Sequence, residues 1–212
     1  MNSDAELGRC IAEMTTDLKL EFNTAQHAQL RDYLLMLVKW NRVYNLTAIR
    51  SIKKMLSHHL ADSLSLVPYL GATRVLDVGT GAGFPGIPLA IALPRTQFTL
   101  IDTVSKKTRF LQQVVGVLQL KNVRVINQRV ENYNTEERFD VIMARAFARC
   151  EKIIKLTQHL VLESGVYLLQ KGVYPSEELK QVSQPYEVEA IKVPGLDAER
   201  HLVIIKNGDN HG

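Results

Sequence analysis

Between residues 74 and 88 the chain reads Arg74-Val75-Leu76-Asp77-Val78-Gly79-Thr80-Gly81-Ala82-Gly83-Phe84-Pro85-Gly86-Ile87-Pro88. A short apolar strand runs into a loop with four glycines in eight residues and then into the start of a helix. Glycine takes positive φ at little cost, so such a loop turns sharply and lets backbone approach a bound molecule closely. The helix that follows offers unpaired N–H groups at the same place. The segment predicts the strand, turn and helix of an α/β fold with a nucleotide-like ligand at the turn. Without a ligand, the same glycines make only a tight turn.

The rest of the chain divides around this segment. Before it, Leu30, Tyr33, Leu34, Leu37, Val38 and Asn41 recur at three- and four-residue spacings, one buried helical stripe, and the first seventy residues predict two or three helices. Thr24 is a candidate N-cap for that helix and Ser51 for the next, which should run toward Leu66 and stop before Pro68. After Gly71 short apolar runs alternate with helical patterns. Thr73–Val78, Gln97–Ile101, Val123–Asn127, Phe139–Ala144 and Val166–Leu169 read as strands, and Ser105–Leu120 and Glu151–Leu160 as helices. Such alternation implies a mostly parallel sheet with helices on both faces. Tyr186–Val193 and His201–Lys206, joined through Pro194-Gly195, predict a closing antiparallel hairpin. The expected organisation is a helical extension over residues 1–70 packed on a catalytic domain over residues 71–212.

Length and composition narrow the function classes. A chain of 212 residues with 46% hydrophobic and 23% charged residues suits one domain with a modest extension. No apolar run approaches the roughly 18 to 20 residues that cross a bilayer, and no secretory pattern opens the chain, so a cytoplasmic protein without membrane contact is expected. Cys10 and Cys150 lack CxxC spacing and suggest neither a disulfide framework nor a metal cluster. The net charge of +4 is unevenly spread. Arg31, Lys39, Arg42, Arg50, Lys53 and Lys54 stand against Asp32 alone, and residues 103–130 hold six cations and no acid. These stretches fit a phosphate backbone, or simply the solvated faces of two helices.

The nature of the nucleotide turns on two carboxylates. Gly81-x-Gly83-x-x-Gly86 also satisfies a dinucleotide fingerprint, with Asp102 about twenty residues on. Asp77, just ahead of the first glycine, would repel a diphosphate but orient a cationic amine such as that of S-adenosylmethionine. Asp102 at the end of its strand suits ribose hydroxyls in either case. Tyr167-x-x-x-Lys171 matches a dehydrogenase pair in spacing, but that pair needs a helix. Four residues rise only about 6 Å on a helix and roughly 13 Å on a strand, and the glycine-bracketed segment around Tyr167 reads as a strand.

Several further segments complete the picture. In order, Lys39-Trp40-Asn41-Arg42-Val43-Tyr44-Asn45-Leu46-Thr47, His59-x-x-Asp62-Ser63, the segment from Asp77 to Pro88, Arg129-Val130-Glu131, Arg145-Ala146-Phe147-Ala148, Lys171-Gly172 and Glu199-Arg200-His201-Leu202 resemble the RsmG (GidB) family of bacterial small-subunit ribosomal RNA methyltransferases. The resemblance spans nearly the whole chain, and the Trp-Asn-x-x-Tyr-Asn-Leu-Thr and Arg-Ala-Phe segments are its specific part. It implies a Rossmann-like class I methyltransferase fold and S-adenosylmethionine-dependent methylation of guanine N7 in 16S rRNA. It also implies a cofactor site at Gly79, Phe84, Val130, Glu131 and Arg145, beside Asp77, Gly81 and Asp102. Where many relatives carry Arg, this chain carries His58.

Guanine N7 has an in-plane lone pair and no proton, so its methylation requires positioning and no general base. Arg145 is the candidate for orienting the base or cofactor through its planar donors. A salt bridge to a carboxylate such as Asp140 is the alternative. Phe147 is a candidate to stack on the target base or, more commonly for such a residue, to join the core. Lys106, Lys171 and Arg200 lie where strand ends would meet RNA. Trp40 and Tyr44 are expected to pack on the catalytic domain, and His58 and Asp62 to form an exposed or helix-packing pair with no metal. The expected partner is 16S rRNA or the 30S subunit, with a monomeric protein and no obligate protein partner. A nicotinamide-dependent oxidoreductase and a non-catalytic RNA-binding module are the competing readings.

Overall fold

The computed structural model describes residues 4–71 and 74–208. Helices α1 (Asp4–Asp17) and α2 (Thr24–Tyr44) open the chain, and α2 buries Leu30, Tyr33, Leu34, Leu37 and Asn41 as one stripe. Its cap is Asn23, one residue before the expected Thr24. The Asn23 side chain accepts from the Gln26 N–H at 2.9 Å, and the Gln26 side chain accepts from the Asn23 N–H at 3.0 Å, a reciprocal box.

The next helix is composite: α3 (Ile52–Met55), a π-helical turn (Leu56–Ala61) and α4 (Asp62–Leu64). It ends ahead of Pro68 as expected, although Ser51 makes no side-chain cap bond. A π turn inserts a residue into the helical repeat and is frequent at functional sites. Here His59 and Asp62 both end up buried.

Strands β1 (Arg74–Val78), β2 (Gln97–Asp102), β3 (Val123–Asn127), β4 (Phe139–Arg145) and β5 (Val161–Lys171) run parallel, and β6 (Tyr186–Ala190) and β7 (His201–Lys206) form the antiparallel end. The order is β3-β2-β1-β4-β5-β7-β6. β5 is far longer than the four apolar residues that signal it, because Glu163, Ser164 and Gly165 interrupt the apolar pattern without breaking the strand. β6 is shorter than expected. Thr73, placed in the first strand by its sequence, lies outside the described residues. Helices α5 (Gly86–Ala92), α6 (Ser105–Leu118), α7 (Cys150–Thr157) and α8 (Ser176–Leu179) fill the connections. The strand order reverses between β1 and β4, so a crevice opens at their carboxyl ends.

Alternate residues of each strand feed opposite faces. Val75, Leu100 and Met143 join a core with Leu7, Ile11, Leu30, Leu34 and Phe110, so α1 and α2 share one apolar cluster with the sheet and α6. Leu76, Val78, Ile142 and Ala144 face a second cluster with Ile153, Leu160 and Tyr167. Trp40 packs on Phe110 with centroids 5.5 Å apart, and Tyr44 lies 5.1 Å from Trp40.

The glycine loop is seated on α2 and the π turn. Tyr33, fully buried, donates to the Ala82 carbonyl at 2.7 Å. The Phe84 ring stacks on His59 at 4.4 Å and contacts Tyr33 at 5.3 Å. Beneath the loop, Asp77 Oδ2 accepts from Thr80 Oγ1 at 2.7 Å and from the Gly86 N–H at 3.0 Å. A Cβ on Gly86 would meet Leu100 Cδ2 at 2.2 Å and Asp77 Oδ2 at 2.7 Å, so only glycine fits there.

Two buried groups make stability depend on pH in opposite senses. Burial lifts the Asp77 carboxyl from 3.8 to about 6, against the bonds from Thr80 and Gly86. Burial, reinforced by the Arg145 charge, lowers the His59 imidazole from 6.5 to about 3. Between about pH 4 and 6 the folded chain holds a proton on Asp77 that the unfolded chain has lost, so this group costs stability as pH rises. Between about pH 3 and 6.5 the unfolded chain protonates His59 while the folded chain does not, so His59 adds stability as pH rises. Asp77→Asn keeps an acceptor for Thr80 and Gly86 and cannot ionise. Denaturant unfolding should show the Asp77→Asn variant gaining about 2 kcal/mol over the parent protein between pH 4 and pH 7. A constant difference across that range would contradict a raised carboxyl.

Candidate active site

Two cavities meet at the crevice. The first, about 440 Å³, lies over the ends of β1 and β2 and is lined by Gly79, Asp102, Lys107, Val130 and Glu131 among others. Of the glycine loop, Gly79 lines this cavity, and Gly79, Gly81 and Gly83 take φ 67°, 63° and 101°. Above Gly81 a Cβ would meet nothing closer than the Gly79 carbonyl oxygen at 3.9 Å, so a ligand can pass there.

The hydrogen bonds of this loop decide what it can hold. The N–H groups of Gly79 and Thr80 donate to the Ile101 carbonyl at 2.9 and 3.2 Å, and those of Gly83 and Phe84 to the Thr80 carbonyl at 2.9 and 3.0 Å. Gly81 donates to Asp102 Oδ2 at 2.9 Å, and Gly86 is committed to Asp77. A loop that binds phosphate must present free N–H groups; this one has spent these six on the protein and set two carboxylates beneath them. Asp77 Oδ1 is buried without a partner among the described residues. Asp102 also accepts from the Val104 N–H at 2.8 Å and lies 3.6 Å from Lys107, and a carboxylate with about four acceptor positions still has capacity for hydroxyls. The site fits a cationic nucleoside better than an anionic one.

The second cavity, about 660 Å³, adjoins the first through Ala146, Phe147 and Ala148, which line both. Its wall is organised by Asp62, 1% exposed. Arg145 Nη1 donates to Asp62 Oδ2 at 2.9 Å and to the His58 carbonyl at 3.1 Å, and Arg200 Nε donates to Asp62 Oδ1 at 2.8 Å. Gln170, opposite Arg145 in the strand register, donates to the Asp62 carbonyl at 2.8 Å. The Arg145 guanidinium also lies 5.3 Å over the Phe84 ring. Lys171 Nζ bonds the Ala148 carbonyl at 3.0 Å and Glu178 at 2.7 Å. Burial opposes ionisation of Glu178, yet the bonds from Lys171 and the Cys150 N–H hold its carboxyl below the ordinary value.

Against the sequence expectations, the structure brings Gly79, Asp102, Val130 and Glu131 to the first cavity and Arg145, Lys171 and Arg200 to the second. The Phe84 ring is buried between His59 and Tyr33, at the base of the glycine loop. Lys106 is exposed beside the first cavity, and its neighbour Lys107 lines the wall. The carboxylate paired with Arg145 is Asp62, whereas Asp140 accepts from the Arg74 N–H at 2.7 Å. Asp62 is not an exposed helix partner of His58 but the hub of the second cavity. An acid on the apolar side of a helix, two residues after Leu60, was the signal for it. Phe147, for which the sequence left base stacking and core packing open, is 41% exposed. Tyr167 and Lys171 lie on β5, as the strand reading requires. Among the described residues no group of side chains could hold a metal ion, and no helix is long and apolar enough to cross a membrane.

Comparison with known proteins agrees with this geometry. At 14% identity the precorrin-6y C5,15-methyltransferase of Geobacter metallireducens shares the fold, with a TM-score of 0.53 over 77% of this chain and 93% of that one. The ribosomal RNA small subunit methyltransferase G of Legionella pneumophila is 51% identical over 178 residues, covering 84% of this chain and 86% of that protein. The protein of the same name from Chromobacterium violaceum is 53% identical over 203 residues, covering 94% and 95%. The sequence model for GidB, rRNA small subunit methyltransferase G, matches residues 26–203, from the first turn of α2 into β7. With the family model spanning residues 26–203 and 53% identity over 203 residues to a relative of that name, the chain belongs to the rRNA small subunit methyltransferase G (GidB) family.

Proposed function

We propose that this chain transfers the methyl group of S-adenosyl-L-methionine to N7 of a guanine in 16S ribosomal RNA. The observation that carries this reading is the pair of cavities joined at Ala146–Ala148, one suited to a cationic nucleoside and the other rich in cations. In the second, Arg145, Arg149, Lys171 and Arg200 outnumber Asp62 and Glu178, which suits a polyanion. A nicotinamide dinucleotide would need the loop N–H groups that are already spent. The substrate, free 16S rRNA or the 30S subunit, places the protein in the cytoplasm.

When bound, the cofactor supplies an electrophilic methyl group on a sulfonium. Everything else is positioning by the chain. Asp102 accepts from ribose hydroxyls, Gly81 leaves room for the ligand against the loop, and Val130 and Glu131 border the base. Asp77 contributes negative charge beneath the loop. Because N7 carries no proton, no residue has to remove one, and the buried, neutral His59 serves packing instead of base catalysis. We read the helices up to residue 70 as the outer wall of the base cavity, with Asp62 fixing Arg145 and Arg200 where they meet guanine O6 or a phosphate.

Two outcomes test this reading. S-adenosylhomocysteine at a hundredfold its Kd should raise Tm by about 5–10 °C, while NADH leaves it unchanged. Labelled methyl from S-adenosylmethionine should reach 30S subunits from a strain lacking the enzyme and map to guanine N7; label on another base or another molecule would overturn the substrate. Separately, Asp62→Ala leaves two guanidiniums without their shared partner, each partly open to solvent. It should lose about 2–4 kcal/mol of stability in denaturant unfolding and most methyl transfer. Its folded fraction should still bind S-adenosylhomocysteine within about threefold.

A further inference from the structure

The segment Arg145–Ala148 is held at both ends. Arg145 is tied to Asp62 and the His58 carbonyl, and the Ala148 carbonyl accepts from Lys171, itself paired with Glu178. Between the anchors Ala146 is forced to φ 52°, a left-handed conformation that a non-glycine residue adopts at a cost. The strained turn presents one large side chain, Phe147, which no cluster of the core includes and which is 41% exposed. Its ring lies against Gly79, where a Cβ would stand 2.2 Å from Phe147 Cδ2. Phe147 lines both cavities.

An aromatic ring left partly in water forgoes hydrophobic stabilisation, and here the fold adds backbone strain to keep it there. The position is where a methyl group must cross from one cavity to the other. Unstacked RNA bases are commonly read on aromatic faces, and every base offers a π-face for such contact. We infer that Phe147 is the stacking surface for the target guanine, holding the base at the junction while the Arg145 side of the wall meets its edge. This rests on the proposed methyl transfer and adds to it the residue that receives the flipped base.

The test compares Phe147→Tyr, Phe147→Leu and Phe147→Ala in single-turnover methyl transfer to 30S subunits lacking the modification. Thermal shift with S-adenosylhomocysteine serves as the control for folding and cofactor binding. Loss of stacking should reduce kcat/KM about ten- to a hundredfold in the Ala and Leu variants, while the Tyr variant stays within about threefold of the parent and all bind S-adenosylhomocysteine nearly alike. Leu performing as well as Tyr would reduce Phe147 to an apolar wall and overturn the inference, as would parallel loss of cofactor binding. If the parent protein itself transfers no methyl to 30S subunits although its cofactor shift is intact, the substrate reading fails first and the inference falls with it.

Discussion

A carboxylate that is 1% exposed has lost the water that would stabilise its charge, so the protein around Asp62 has to supply the compensation. It does so from three remote parts of the chain. Arg145 arrives from the end of β4, Arg200 from the residue before β7, and Gln170 from β5 donates to Oδ1 at 3.2 Å. Buried ion pairs often add little net stability, because desolvation offsets their attraction. What this one supplies is location. Asp62 sits directly after the π turn, and satisfying it draws the N-terminal helices across the carboxyl ends of β4 and β5. The second cavity exists because that closure leaves space beneath it.

The architecture was largely legible from periodicity and glycine content. Alternation after Gly71 predicts the parallel strands, and the glycine bracket around Tyr167 correctly excludes the helix that a Tyr-Lys catalytic pair would need. Errors gather where tertiary contacts outvote local pattern. Asn23 rather than Thr24 caps α2 because Gln26, three residues on, completes a box with it. β5 passes through Glu163–Gly165 as an irregularity, pairing with Phe139 of β4 at Val161 and again from Val166 onward, which local propensity does not register.

The site was legible in its glycine loop and less so in its polar partners. Asp77 and Asp102 declared themselves by standing at strand ends. The Asp62 pairs span 83 and 138 residues, and no spacing rule reaches that far. Phe84 shows a role that its motif does not announce. The family resemblance places it at the cofactor, and the structure adds that its ring stacks on His59 and seats the loop on the π turn. Phe147 stayed open between the target base and the core because exposure is a property of the folded surface, and a phenylalanine after a strand usually enters the core.

The two cavities also differ in electrical sign, and that difference bears on turnover. The first has Asp77 and Asp102 beneath or beside its loop; the second has an excess of guanidinium and ammonium groups. In the proposed reaction a sulfonium enters the first cavity and a neutral guanine the second. After transfer the sulfur is neutral and the guanine carries the positive charge. The cofactor product keeps its ammonium and hydroxyls but loses the sulfonium charge, which weakens its attraction to the carboxylates, while the base gains repulsion from Arg145 and Arg200. At an effective dielectric near 20, a unit charge about 8 Å away is worth roughly 2 kcal/mol, so each product leaves a site whose field favoured its precursor. In the proposed reaction a single displaced charge then weakens both grips at once.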